Sequence, residues 1–286
     1  MRIGVALPTD HSRLAATANS VESLIDDVRE LATAGLTSAW LTQRFDYDAV
    51  TVAALAAREV PDIEIGTAVV PIYPRHPIAL SMQARTAQAA SHGRFTLGVG
   101  LSVKSFVEQV YGIAPHPRVR HLREFLKALE SLLETGSVDM TGETVVARSA
   151  FPSPLPGAQP RVPVLVAAAG ELTLRAAAEL ADGALPILSG PRTLAEYTVP
   201  ILNRYAAAAG RPAPRIAVIV SGIVTADVAG ARARAERSMG PTEPSPPIAP
   251  RWTAKGSRIP PISWRSATSS CSPTRSPRTS RPARPS

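Results

Sequence analysis

Short apolar segments alternate with stretches of helical periodicity through residues 1–238. The apolar segments predict seven strands: Arg2–Leu7, Ser38–Thr42, Ile63–Val70, Phe95–Gly100, Val164–Ala168, Ala184–Leu188 and Arg215–Val224. Between them, apolar residues that recur every three or four positions predict helices, namely Ser20–Ala34, Ala49–Arg58, Ile78–Ala90, a helix from near Arg120, Glu171–Ala181 and Thr193–Ala209. The first strand is apolar after Arg2, which is typical of a strand buried on both faces.

Strands that alternate with helices are typical of a parallel sheet built from βα units. A closed (β/α)8 barrel needs one strand more than the seven predicted, and 286 residues suit a barrel of that kind. An open doubly wound sheet is the alternative fold. No GxGxxG motif follows the first strand, so the sequence lacks the fingerprint of a Rossmann dinucleotide site. The sequence of residues 136–161 predicts a connecting segment that contains a short hairpin, between the helix from near Arg120 and the fifth strand.

The character of the sequence changes at Met239. Residues 239–286 contain eleven prolines and ten serines and show no apolar periodicity, a composition typical of a disordered basic tail. We favour a displaced reading frame, because residues 248–256 can encode YRAALDREG in another frame and the neighbouring stretches gain helical segments as well. The sequence therefore predicts an incomplete barrel domain over residues 1–238 and a one-base loss near Arg237–Met239. The eighth strand would then be lost in a frame-shifted tail over residues 239–286.

The formal charge of +8 lies almost entirely in that tail. Residues 239–286 hold eight Lys/Arg and one Asp/Glu, so the other 238 residues hold 23 and 22 and are nearly neutral. That balance gives no support to nucleic-acid binding. The single Cys271 excludes a disulfide framework and a cysteine zinc site, no apolar run reaches membrane-spanning length, and the first strand leaves no room for a signal peptide. We expect a soluble, cytoplasmic protein that binds neither nucleic acid nor a membrane.

The active site of a barrel lies at the carboxyl ends of its strands. Few acids, bases or nucleophiles occur there, which is tolerable for an enzyme whose cofactor carries the chemistry. The residues at those ends are Pro8, Gln43, Arg44, Ala68, Val69, Leu101, Ser102, Ala169, Gly170, Ser189 and Gly190. The histidines, which lack metal-ligand spacing and predict no metal site, are His11, His76, His92, His116 and His121.

Two of these loops have the composition of an anion site. Gly170 precedes a predicted helix, and the segment Ser189-Gly190-Pro191-Arg192 follows the sixth strand. Backbone N–H groups at a helix start favour an anion, and an arginine adds a charge-assisted contact. A glycine turn with a solvent-facing arginine explains the same residues equally well. Asp46 and Asp48, near the end of the second strand, are either site carboxylates or helix caps.

Several blocks of this sequence resemble, in order and spacing, the bacterial luciferase-like monooxygenase superfamily, and within it the actinobacterial coenzyme F420-dependent oxidoreductases. The blocks are MRIGVALP, SAWLTQ, IEIGTAVVPIYPRHP, GRFTLGVGLS, RHLREFL, PVLVAAAGELTLRAAAELADG and SGPRTL, which together run from Met1 to about Glu236. The resemblance implies a (β/α)8 TIM-type barrel that binds a deazaflavin or a flavin at the carboxyl ends of its strands. It also implies a homodimer, since family members are often dimers.

The resemblance further implies which residues bind the cofactor. In the family, a non-prolyl cis peptide forms a bulge behind the cofactor ring, and the matching positions are Thr67, Ala68 and Val69. The other matching positions are Gly100, Leu101 and Ser102 at the end of strand four, Ala168, Ala169 and Gly170 at the end of strand five, and Ser189, Gly190 and Arg192 in the phosphate-contact loop.

One departure from the family pattern bears on the substrate. Gln43 and Arg44 stand where F420-dependent sugar-phosphate dehydrogenases of the superfamily have an Asp-His pair, so a sugar phosphate is not expected. Gln43 and Tyr73 are then the catalytic candidates. We predict an F420-dependent oxidoreductase that transfers a hydride between C5 of the deazaflavin and a small organic substrate with an activated C=C or C=N bond. The alternatives are an FMN-dependent monooxygenase on the same fold and a non-catalytic remnant with an incomplete barrel.

Overall fold

The computed structural model describes residues 2–7, 14–114, 117–220, 222 and 225–239. The chain divides into two compact units, residues 1–222 and residues 223–286. The strands are β1 (Gly4–Ala6), β2 (Ser38–Leu41), β3 (Glu64–Thr67), β4 (Val70–Pro71), β5 (Phe95–Gly100), β6 (Asp139–Thr141), β7 (Val146–Arg148), β8 (Val164–Val166), β9 (Gly183–Ala184) and β10 (Arg215–Ile216). The helices are α1 (Ser20–Thr33), α2 (Ala49–Glu59), α3 (Pro77–Ala90), α4 (Lys104–Tyr111), α5 (Arg118–Thr135), α6 (Glu171–Leu180), α7 (Pro191–Thr193), α8 (Val199–Ala208) and, in the second unit, α9 (Val228–Met239).

One curled parallel sheet organises the first unit. Its strands lie in the order β1, β2, β3, β5, β8, β9, β10, and β4 continues the line of β3 along β5. Every pairing in this sheet is parallel, while β6 and β7 form a separate antiparallel hairpin between α5 and β8. The predicted α/β barrel architecture is confirmed for these strands. Within the described ranges, no strand pairs with the outer edges of β1 and β10.

Local sequence signals explain where the helices begin. The Asn19 side chain accepts hydrogen bonds from the amides of Val21 and Glu22, so it caps α1. Asp48 caps α2 by accepting from the Thr51 amide at 2.9 Å. The apolar faces of the helices then pack on the outer face of the sheet. The largest fully buried side chains of that layer include Phe95, Phe125, Leu80, Leu97, Leu126, Ile63 and Ile65.

The inner face of the sheet is lined by a second, smaller apolar cluster and closed at its amino-terminal end by an ion pair. Trp40 lies in that cluster with Ala68, Leu165 and Leu185. Below it, Arg215 of β10 binds Glu64 of β3 through two contacts, at 2.5 and 2.9 Å. These strands are four steps apart in the strand order, so the contact crosses the interior of the curled sheet. The guanidinium also lies 5.6 Å from the centre of the Trp40 ring.

Three expectations from the sequence are wrong in detail. The first strand is not buried on both faces, because Ile3 is 57% exposed and Gly4 and Ala6 are exposed. The free edge of β1 accounts for this exposure. Strands six and seven are shorter than predicted, with β9 ending at Ala184 and β10 at Ile216, because only one further bridge, Ile187 to Ile219, joins the two segments.

Two helical features also differ from the sequence prediction. Helix α4 was not predicted, because it buries a single residue, Val107, and so presents little apolar pattern. The helix predicted over Thr193–Ala209 begins at Pro191 and contains a π-helical turn at Leu194–Thr198. The predicted frame-shifted tail lies outside the described residues.

Removal of the cross-sheet ion pair should destabilise the fold. We expect Arg215→Met to lower the free energy of unfolding by about 1–2 kcal/mol, because the Glu64 carboxylate, which is 15% exposed, would lose its closest cation. The Thr96 hydroxyl at 2.8 Å, Arg2 at 3.9 Å and the partial exposure of Arg215 limit the loss. Unfolding in urea, monitored by circular dichroism, measures this change in the free energy of unfolding. The control is Arg29→Met, whose pair with Glu59 is about half exposed on both sides and should cost less than about 0.5 kcal/mol. Equal losses in the two variants would contradict the prediction.

Candidate active site

A one-residue bulge interrupts the third strand of the sheet. Before the interruption Ile65 pairs with Phe95 and Gly66 with Thr96, whereas after it Val70 pairs with Val99. The β3–β4 side therefore has one residue more than the β5 side. Bulges re-aim the backbone at the ends of strands and are common beside active sites. The extra residue falls within Thr67–Val69, and the peptide bond between Ala68 and Val69 is cis, where the resemblance predicted it.

Side-chain hydroxyl groups replace the missing backbone ladder at this bulge. The Thr67 hydroxyl donates to the Gly98 carbonyl and accepts from the Gly98 amide, both at 2.9 Å. The Thr42 hydroxyl donates to the Ala68 carbonyl at 3.0 Å, and the Ala68 amide donates to the Leu41 carbonyl at 2.7 Å. Gly98 is required here, because an added Cβ would overlap the Thr67 carbonyl oxygen. The backbone polar groups of the bulge are thus held from both neighbouring strands.

Small side chains form an apolar shelf where the bulge meets the next two strands. A Cβ added at Gly100 would lie 2.9 Å from Val69 Cγ2 and 3.1 Å from the Ala167 Cβ, so these three residues are in close contact. Ala68 is buried in the inner apolar cluster, and Val69 packs against that cluster. Among the predicted cofactor residues, the structure therefore brings together Thr67, Ala68, Val69 and Gly100, whereas Leu101 and Ala168 are buried in the apolar cluster of the outer layer. A flat apolar ring would fit against such a shelf.

The predicted residues that follow β5 and β8 lie at the border of this shelf. Ser102 adopts a left-handed conformation (φ 58°), and its carbonyl accepts a hydrogen bond from Arg118 at 2.6 Å. Ala169 is exposed, and Gly170 is the N-cap of α6 without a side-chain hydrogen bond to the first amides of that helix.

The loop Ser189–Arg192, which is predicted to contact a phosphate group, leads into α7, and no hydrogen bond in the described part of the chain joins it to the bulge. Gly190 is the N-cap of α7, and the Ser189 hydroxyl donates to the Ile187 carbonyl at 3.5 Å. Arg192 is paired with Glu196 at 3.0 Å, and both side chains are largely exposed. Such an exposed pair is worth little, so Arg192 can exchange this partner for a ligand anion at small cost.

Gln43 is engaged in holding its own loop. Its amide nitrogen donates to the carbonyls of Arg44 and Tyr47 at 2.7 and 2.8 Å. Its amide oxygen accepts from the Ala49 amide at 3.1 Å and from Arg75 at 2.9 Å. Two donors and two acceptor sites are the full capacity of a glutamine amide. A catalytic role for Gln43 stays a prediction, and it would require one of these bonds to open.

Tyr73 lies against the first turn of α5. Its ring is stacked on His121, with centroids 4.7 Å apart and planes inclined by 16°. Partial burial raises the pKa of the Tyr73 phenol, and the Arg118 guanidinium opposes that rise without cancelling it. The phenol therefore keeps its proton at neutral pH and can donate it, which suits the predicted catalytic role.

Three residues near the site were missed by sequence reasoning. Arg75 binds Gln43, Gln83 and Asp48, and Arg118 binds the end of β5. His121 is buried beneath Tyr73. Only the histidine had a sequence signal, its place near a helix start. The chain contains many arginines, and nothing in the sequence distinguishes Arg75 and Arg118 from the others.

Several other expectations concern groups at or outside this region. Asp48 acts as a helix cap and Asp46 pairs with the buried Arg44 at 2.9 Å. Pro8, His11, His116 and Cys271 lie outside the described residues. Across the ranges that are described, no three His, Cys, Asp or Glu side chains are grouped so that they could hold a metal ion. In those same ranges, no helix has both the length and the apolar character to cross a membrane.

The chain belongs to the luciferase-like monooxygenase family, whose family model matches residues 1–262. Among curated proteins, it is 29% identical over 162 residues to the 5,10-methylenetetrahydromethanopterin reductase of Archaeoglobus fulgidus, with 55% of this chain and 47% of that protein covered. The chain spans between 47% and 58% of the length of the curated relatives it matches.

Solved structures share the fold at lower identity. The coenzyme F420 dependent tetrahydromethanopterin reductase of Methanopyrus kandleri aligns with a TM-score of 0.60 and 24% identity over 77% of this chain and 65% of that one. The oxygenating constituent of 3,6-diketocamphane monooxygenase of Pseudomonas putida, in complex with FMN, aligns with a TM-score of 0.61 and 18% identity over 76% and 66% of the two chains. The structures that share the fold thus include an F420-dependent reductase and a monooxygenase in complex with FMN.

The ion pair between Asp48 and Arg75 should make the stability of the fold depend on pH in the acid range. Burial raises the pKa of Asp48, but the hydrogen bonds from Arg75 and Thr51 together lower it by more than burial raises it. The pKa of Asp48 is therefore below its usual range. A carboxylate whose pKa is lowered by folding stabilises the folded state at pH values above its pKa in the unfolded chain. That stabilisation is lost as the pH falls through its pKa in the folded state. We expect Asp48→Asn, which retains a capping side chain, to cost about 1 kcal/mol at pH 7. That cost should begin to fall as the pH drops below about 4, the usual pKa of an aspartate, and should be lost once the pH passes below the lowered pKa of Asp48 in the folded state.

Unfolding by urea at a series of pH values measures this dependence. The matched control is Asp139→Asn, since the Asp139 carboxylate is 89% exposed and lies 3.6 Å from Arg148. Its effect should be small at every pH. A cost for Asp48→Asn that stays constant between pH 7 and pH 3 would show that the ion pair is not its source.

Proposed function

We propose that this protein is a coenzyme F420-dependent oxidoreductase that transfers a hydride between C5 of the deazaflavin and a small organic substrate. The observation that carries the proposal is the bulge at Thr67–Val69, held against Gly100 to form an apolar shelf of small side chains. A planar tricyclic ring needs such a flat, apolar and close-fitting backing.

The family relationship supports the same reading. A methylenetetrahydromethanopterin reductase is a relative at 29% identity, and an F420-dependent reductase has the same fold. F420, when bound, supplies the two-electron hydride chemistry, so the protein needs only to bind, orient and protonate. The scarcity of acids and bases around the shelf is consistent with that division of work.

The residues of the site would share the binding of F420 as follows. Ala68, Val69 and Gly100 would back the ring. The helix start at Gly170 and the loop at Ser189–Arg192 would face the phosphate group, because uncapped amides and an arginine favour an anion. Tyr73 would donate the proton that accompanies hydride transfer, and Gln43 would hold the adjoining loop.

FMN is the alternative cofactor, because a flavin ring has the same shape and would fit the same shelf. An FMN complex also occurs among the structures that share the fold. The two cofactors differ in their reaction with oxygen. Reduced flavin reacts readily with O2, whereas reduced deazaflavin hardly does, so a monooxygenase would consume oxygen and an F420-dependent reductase would not.

The third alternative is a non-catalytic remnant, favoured by the exposed edge of β1. Strand edges without partners promote association between chains. A protein of this kind would melt broadly and gain no stability from either cofactor. A DNA read across codons 237–240 would further decide whether the frame-shift hypothesis holds, since a missing base there would restore a different sequence after Met239.

Direct titration should separate these functions. We expect the full chain to bind F420, seen as a change in deazaflavin fluorescence, and to melt at higher temperature in its presence. With reduced F420, it should reduce 2-cyclohexen-1-one, and with reduced FMN it should consume no more oxygen than free flavin does. Oxygen uptake above the free-flavin rate would instead support the monooxygenase. No binding of either cofactor would support the remnant.

The shelf itself can be tested by one methyl group. We expect Gly100→Ala to weaken F420 binding about tenfold, because its Cβ would push Val69 towards the ring position. The matched control is Gly222→Ala, where an added Cβ meets nothing within 4 Å. Fluorescence titration measures both, and circular dichroism checks that both variants fold. Unchanged affinity in folded Gly100→Ala would show that F420 does not lie on this shelf.

A further inference from the structure

We propose that Arg118 and Tyr73 form an oxygen-binding pair that selects substrates whose reducible C=C bond is conjugated with a carbonyl group. This inference rests on the hydride-transfer function proposed above and narrows its substrate class to α,β-unsaturated carbonyl compounds. Arg118 would bind the substrate oxygen and Tyr73 would supply the proton.

The two side chains share one small cavity at the carboxyl end of the sheet. Its volume is about 10 Å³, and its walls are Tyr73, Lys104, Val107, Glu108 and Arg118. Every wall residue follows the end of β4 or β5, the same edge of the sheet that carries the bulge and Gly100. A cavity of this size suits a single oxygen atom of a substrate, while the rest of the substrate would lie outside it.

The first turn of α5 positions both members of the pair. Arg118 and His121 are three residues apart on that helix and so lie on neighbouring positions of one face. His121 is stacked under the Tyr73 ring at 4.7 Å, and its Nδ1 lies 3.2 Å from the Thr144 hydroxyl. That hydroxyl donates to Glu124 at 2.7 Å. Stacking on His121 therefore holds the ring of Tyr73 in place, and Arg118 lines the same cavity as Tyr73.

Arg118 has donor capacity to spare. A guanidinium carries five N–H donors, and within the described residues Arg118 makes one hydrogen bond, to the Ser102 carbonyl, and no ion pair. The neighbouring Lys104 lies 3.7 Å from Glu108, so its charge is already balanced. By contrast, the arginine charge in this cavity is available to a substrate oxygen. Burial keeps Tyr73 protonated despite that charge.

These features fit one step of an enone reduction. A hydride adds to the β-carbon of the substrate, the π electrons of C=C move towards the carbonyl, and negative charge develops on the oxygen. Arg118 stabilises that oxygen by a charge-assisted hydrogen bond. The Tyr73 O–H then gives its proton to the enolate oxygen, and the resulting enol tautomerises in water to the saturated ketone, with the proton now on the α-carbon. Water reprotonates the Tyr73 phenolate. Reduced F420 is the two-electron donor, so the substrate gains one hydride and one proton.

Two readouts on the full chain test the pair. The first is the kcat/KM for 2-cyclohexen-1-one with reduced F420, which should fall about 10- to 100-fold in Arg118→Met and about 100-fold in Tyr73→Phe. Arg118→Lys, which keeps the charge, should recover part of the loss. The matched control is Arg120→Met, on the same helix but exposed and paired with Glu143, and it should retain full activity.

The second readout needs no turnover. The 4-nitrophenolate ion carries a delocalised oxygen anion like that of an enolate, and its absorption band reports binding. We expect Arg118→Met to bind it about tenfold more weakly than the unaltered chain and Arg120→Met to bind it equally well, with and without F420. Circular dichroism checks the fold of each variant, and Arg118→Lys serves if Arg118→Met does not fold.

The outcomes separate this inference from the proposed function. If F420 binds but Arg118→Met and Arg120→Met behave alike in both readouts, the pair is overturned and the hydride-transfer function stands. If the unaltered chain fails to bind 4-nitrophenolate in either state, the pair is likewise overturned. If F420 does not bind, the proposed function fails, and the proposed pair fails with it.

Discussion

The rest of the candidate site depends on one extra residue in the third strand of the sheet. Ile65 and Gly66 are in register with β5, and Val70 is in register again after a gap that contains Thr67, Ala68 and Val69. A free backbone group inside a sheet is costly, so the Thr67 and Thr42 hydroxyls occupy the ladder positions. These two hydroxyls therefore stabilise the bulge, and the shelf beside Gly100 depends on the bulge.

One ion pair crosses the interior of the curled sheet. Among the described residues, β1 and β10 have no further neighbour in the sheet. Glu64 and Arg215 nevertheless join strands four steps apart, and Trp40 lies next to them. This ion pair lies at the amino-terminal end of the interior. The opposite end carries the bulge and its shelf of small apolar side chains, with the cavity of Tyr73 and Arg118 at the same edge of the sheet.

The regions around the shelf carry different chemistry, and this explains the proposed division of roles. The side of β8 and α7 offers helix starts and an exposed arginine, which suit an anion. The side of β4 and α5 offers a protonated phenol over a buried histidine and an arginine with spare donors. An F420 ring between them would expose its reactive face to a substrate held on the second side. In the proposed function, the cofactor would bring the electrons and the protein would supply geometry and a proton.

The sequence by itself determined the α/β class, the positions of the main strands and helices and, through a family resemblance, the cis peptide at Ala68–Val69. These features depend on local periodicity or on a short contiguous motif. Only the tertiary structure showed that Gln43 is fully hydrogen-bonded, that Arg118 and His121 flank Tyr73, and that Arg215 meets Glu64. The contacts of Gln43 with Arg75, of Tyr73 with His121 and of Arg215 with Glu64 join residues far apart in the chain. No pattern of neighbouring residues encodes which arginine among many turns inward.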